Sequence, residues 1–169
     1  MLCLSIRNIT QGGLLICLSV LLQLLPAAFG EIFIIATILS AVPIYILSRS
    51  NPKAGFTAYI ITGVLIYTFN SHEGMFFLFT NGLVGFSIGA FSYITKSKII
   101  ISILSGVILT FSLAIVNFLI GIPVLGVNFP GSILIQIPVL MAFSIVYCFM
   151  YSLFADFTYN YLNRRYPFR

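Results

Sequence analysis

Tryptophan is absent and charge nearly so: the 169 residues carry one histidine and only 7% Asp, Glu, Lys and Arg. A soluble domain needs about one residue in four charged, so that class is excluded. The three acids, Glu31, Glu73 and Asp156, lie far apart in sequence, which leaves no paired carboxylates for acid and base chemistry. No serine meets a histidine at depth, so an intramembrane enzyme is not expected. Cys3, Cys17 and Cys148 are an odd set in or beside apolar runs, without ligand spacing, which argues against a disulfide or a zinc site. A glycine-rich phosphate loop ending in lysine is missing, so the chain is not itself an ATPase. Alternation of apolar and polar residues never persists long enough for a barrel strand. No cofactor and no resident metal is expected.

Apolar residues make up 60% of the chain, with a mean hydropathy of +1.15, which marks an integral membrane protein. Spanning about 30 Å of hydrocarbon takes about 20 helical residues. That ruler predicts an all-α protein with six transmembrane helices near 9–25, 29–47, 54–69, 75–94, 99–120 and 133–159, in one domain covering 1–169. The turn Arg49-Ser50-Asn51-Pro52-Lys53-Ala54-Gly55 orients them. Two cations and no acid between apolar runs mark a cytoplasmic loop. Pro52 has no amide proton to donate, so it ends one helix and suits the first turn of the next. Starting the first helix in the cytoplasm puts all eight Lys and Arg inside with both termini, and leaves Glu31, His72 and Glu73 outside. Asp156 falls near the inner interface. An odd number of spans would split the cations between two faces. The net charge of +5 is thus a topology signal in the plasma membrane, with no basic patch for nucleic acid. Arg7, the apolar run 14–25 and Pro26-Ala27-Ala28 loosely mimic a cleaved signal peptide, but the next segment begins at once, so a retained first helix is expected.

Polar side chains inside spans tend to face neighbouring helices or a cavity, because hydrocarbon gives them no partner. Here Gln23, Asn81, Asn117 and Gln136 fall toward the outer side, with Glu31, Asn70, His72, Glu73 and Asn128 beside them. The inner half offers little beyond small hydroxyls. This asymmetry points to a polar pocket open to the outside, although each amide taken alone is better explained as a bond between helices. Gly85 and Gly89 form a small-residue seam read as packing within the bundle. Gly12, Gly13 and Cys17 give a second seam near the cytoplasmic end of the first helix, expected to face a partner.

The run Asn51-Pro52-Lys53-Ala54-Gly55-Phe56-Thr57-Ala58 is similar to the Gly-Pro-Lys-Ala-Gly turn between helices two and three in the S components of energy-coupling factor transporters. Thr80-Asn81-Gly82-Leu83-Val84-Gly85-Phe86-Ser87-Ile88-Gly89 resembles their glycine-rich fourth helix. Length, six spans and inner termini fit as well. The resemblance implies capture of a small vitamin-like molecule from outside, then docking on a transmembrane coupling subunit driven by two ATPase subunits. Where that family has two alanines on the first helix, this chain has Gly13 and Cys17. Its cobalt and nickel members carry a histidine close to the N-terminus, which Met1-Leu2-Cys3 lacks, so metal cargo is disfavoured. The competing expectation is a structural membrane protein, similar to small rod-shape-determining components of cell-wall assembly, whose amides only hold helices together.

Overall fold

The computed structural model describes residues 6–122 and 133–165, and every regular element among them is helical. Helix α1 (Ile6–Phe29) ends at Gly30, whose φ of +90° suits a residue without a Cβ and whose amide returns to the Pro26 carbonyl at 2.8 Å. A 3-10 turn, Glu31–Phe33, leads into α2 (Ile34–Leu39) and α3 (Ala41–Ser50). Asn51 alone separates α3 from α4 (Pro52–Phe69), with Pro52 at its first position. The Asn51 side chain caps α4 by accepting from the amides of Lys53 and Ala54. Asn70 caps α5 (Ser71–Phe79) in the same way, and α6 (Asn81–Ile94) follows after Thr80. Helix α7 (Lys98–Ile115) runs into a π turn, Val116–Ile120, and α8 (Ile133–Arg165) completes the bundle.

Among the described residues, four apolar helical stretches are long enough to cross a membrane: Ile9–Phe29, Ser71–Ile94, Lys98–Ile120 and Ile135–Leu162. The stretch Ile34–Ser50 is apolar but shorter. Helix α4 has 18 residues but includes Lys53, three threonines and two tyrosines, so it is less apolar. Side chains such as Leu14, Leu21, Val64, Phe111, Val146 and Phe157 stand exposed on helix surfaces. An apolar exterior of this extent is what hydrocarbon solvates.

Helix α3 lies at the centre, with Ala41 to Ile46 all buried. One face joins Val84, Ile88, Leu109, Leu140 and Cys148 in the larger apolar cluster, while Ile44 faces Ala58, Tyr59, Ile66 and Phe77 in the second. Gly85 and Gly89 let α6 reach its backbone: a Cβ on Gly85 would stand 2.4 Å from the Ala41 carbonyl, and one on Gly89 2.7 Å from that of Tyr45. This seam is spent inside the bundle.

Two of the expected continuous segments are interrupted, one at Ser40 and the other at Thr80. Pro43 explains the first break, because it offers no amide to the Leu39 carbonyl and its ring crowds that turn. At Thr80 the backbone leaves the helical region, with φ of −127° and ψ of −91°. Carbonyls freed at such breaks must be bonded inside a membrane. Each break draws hydroxyls from other helices. Ser19 donates to the Ser40 carbonyl at 2.6 Å and Tyr151 to Ile38 at 3.4 Å. Tyr59 and Ser112 donate to Leu78 and Phe79, each at 2.6 Å.

Candidate functional site

The two breaks lie beside one polar cluster. Gln23 on α1 is 1% exposed, and its Oε1 accepts from Ser40 Oγ at 2.8 Å and from Asn81 Nδ2 at 3.4 Å. With its carbonyl held from two sides, the amide nitrogen faces Glu73 and donates to Oε2 at 2.8 Å. Glu73 is free to meet it because the Asn70 amide, its usual target in a capping box, already bonds the Ile66 carbonyl at 2.8 Å. Gln23, Glu73 and Asn81 open on a cavity of about 380 Å³, completed by Thr37, Thr80 and an apolar wall of Pro26, Ala27, Ile34 and Phe76. Another recess of similar volume, between α4, α5, α6 and α7, is walled mainly by apolar residues. Its hydroxyls, on Tyr59 and Ser112, are the ones that donate to the helix break.

Of the residues singled out in the sequence as candidate ligands, the structure brings Glu73 and Asn81 together at the cavity, while Asn70, His72, Asn117 and Gln136 are not among the residues described as lining it. Asn70 acts as a helix cap, accepting from the amides of His72 at 3.1 Å and Glu73 at 3.3 Å. His72 is exposed, with its ring edge-on to Phe76 at 5.3 Å between centroids. Asn117 in the π turn donates to Gln136 on α8 at 3.5 Å, a bond between helices. Glu31 opens the 3-10 turn, while its side chain and Asn128 lie outside what is described. Sequence reasoning placed Gln23 on the polar side without assigning it to a ligand, counted Ser40 among the small hydroxyls of the inner half although it bonds Gln23, and gave Thr37 and Thr80 no role. On α1, no described residue comes within 4 Å of a Cβ placed on Gly12 or Gly13, and Cys17 is exposed.

A second polar cluster gathers at the other end of α3. Asp156 on α8 forms ion pairs with Arg49 and Lys98, and Tyr45 donates to the same carboxylate. The Arg49 guanidinium also lies over the Tyr159 ring, 4.3 Å from its centroid. Charge is thus concentrated at the end of the bundle away from the cavity. Compared with protein-family models, curated proteins and solved structures, the chain matches none.

Proposed function

We propose that the chain is the membrane-embedded substrate-binding subunit of an energy-coupling factor type importer, receiving a small vitamin-like molecule from outside the plasma membrane. The observation that carries this reading is the cavity closed by Gln23, Glu73 and Asn81 between two interrupted helices. Interrupted helices at membrane depth are expected where backbone and polar side chains line a solute site. In the six-span topology α2 with α3, and α5 with α6, each count as one span, and both termini are cytoplasmic. Helix α3 need not be as long or as apolar as a lipid-facing span, because it is packed inside protein. The cavity then opens outward, and the Arg49, Lys98 and Asp156 cluster faces the cytoplasm. The exposed seam of Gly12, Gly13 and Cys17 is the docking face for the coupling subunit, which two ATPase subunits drive.

Mass spectrometry of small molecules released from the purified chain tests this directly. A single retained solute, bound at least about tenfold more weakly by Asn81→Leu with no change in melting temperature, is the expected result. No retained solute, with Asn81→Leu only lowering the melt, returns these amides to helix packing and favours the structural role.

A further inference from the structure

We propose that the cavity takes a small organic cation, an ammonium or amidinium group carried on a short apolar body; this rests on reading the cavity as the cargo site. The argument is a count of hydrogen-bond capacity. Thr37 Oγ1 donates to the Ile34 carbonyl at 2.7 Å and Thr80 Oγ1 to the Phe76 carbonyl, so both hydroxyls have only lone pairs left to offer. Asn81 commits one of its two amide protons to Gln23, which leaves the other and its carbonyl oxygen open, and Gln23 likewise keeps one amide proton beyond its bond to Glu73. Glu73 accepts from Gln23 on Oε2, and among the described residues no donor reaches Oε1.

Nothing described neutralises that carboxylate. Both ion pairs among the described residues belong to Asp156. His72, next to Glu73 in sequence, packs on Phe76 and forms no ion pair with it. The cavity therefore presents more open oxygen acceptors than amide donors, together with a negative charge. An anion would be repelled and would set acceptor against acceptor, and a neutral alcohol supplies one donor. An ammonium supplies three donors and the opposite charge. Phe76 adds an aromatic surface suited to a cation. A bare metal ion also favours oxygen, but a cavity of about 380 Å³ with an apolar wall is built for a molecule with a carbon body.

The test uses the full chain in detergent and three probes sharing one body, 2-phenylethylammonium, 2-phenylethanol and phenylacetate, read by thermal melt and titration calorimetry. The ammonium alone should raise the melt, and Glu73→Gln should weaken its binding by at least about tenfold while Glu73→Asp retains part of it. The proposal is overturned if the alcohol or the carboxylate stabilises as well as the ammonium, if the ammonium has no effect, or if its affinity survives Glu73→Gln. Should Glu73→Gln melt early without probe, the head-group series on the unaltered chain decides alone. Ammonium binding without association with a coupling subunit upholds this inference and removes the importer reading; association with only anionic or neutral cargo does the reverse.

Discussion

Tyr59 on α4 donates its hydroxyl to the Leu78 carbonyl at 2.6 Å, just where α5 gives out. The same ring stacks on Phe86 at 5.8 Å, so Tyr59→Phe should keep the packing and lose only the bond. Leaving that carbonyl unpaired in an apolar surrounding should cost about 1 to 2 kcal/mol, seen as an earlier thermal melt. Ser112→Ala should act similarly through Phe79. Unchanged melts in both would mean that the break at Thr80 does not depend on borrowed hydroxyls.

Two glycines should respond in opposite ways. Gly85→Ala places a methyl against the Ala41 carbonyl and should destabilise by about 1 to 3 kcal/mol, because backbone cannot step aside as a side-chain tip does. Gly13→Leu meets open space, so its melt should stay level, and, if the importer reading holds, co-purification with a coupling subunit should be lost. Loss of stability in the second variant would place that seam in the bundle's own packing.

Asp156→Asn removes two ion pairs at once and leaves Arg49 and Lys98 as neighbouring like charges. Because all three side chains keep some exposure, the loss should be about 1 to 3 kcal/mol, below that of a fully buried pair. Adding Lys98→Met should restore part of it by relieving the repulsion. A double variant no better than the single would show that Lys98 contributes little.

The six-span topology is tested by labelling intact cells with an impermeant thiol reagent after the native cysteines are replaced. Single cysteines at Asn51 and Ser97 should be protected, whereas one at Ser71 should react. The opposite pattern would invert the bundle and move the cavity to the cytoplasmic side.

Much of the helical layout is legible in the sequence because apolar length measures membrane thickness, and the charged turn at Arg49 and Lys53 locates one boundary within a residue or two. The breaks at Ser40 and Thr80 are not legible that way. A serine or threonine inside an apolar run barely alters its hydropathy, so the ruler passes over a change of backbone direction. Pro43 was a visible signal for the first break. At the site, Glu73 and Asn81 were picked out by polarity, but polarity does not distinguish a cap from a ligand. Asn70, three residues before Glu73, has the spacing of a capping box, and that pattern would have separated its role. Gln23 looks on sequence like any amide near a helix end; its importance comes from contacts 17, 50 and 58 residues away.

The ion pairs and the cavity lie toward opposite ends of α3, and the nine helical steps from its cap Ser40 to Arg49 span roughly 14 Å. At the Arg49 end, α3, α7 and α8 are bound by opposite charges; at the Ser40 end, α1, α5 and α6 meet through hydrogen bonds of which one partner is ionised at most. The two ends of α3 are therefore joined to their neighbours by different chemistry. Charge ties one end, and the other is tied by neutral or singly charged hydrogen bonds, which, if the cavity is a cargo site, a molecule with donors of its own would exchange one for one.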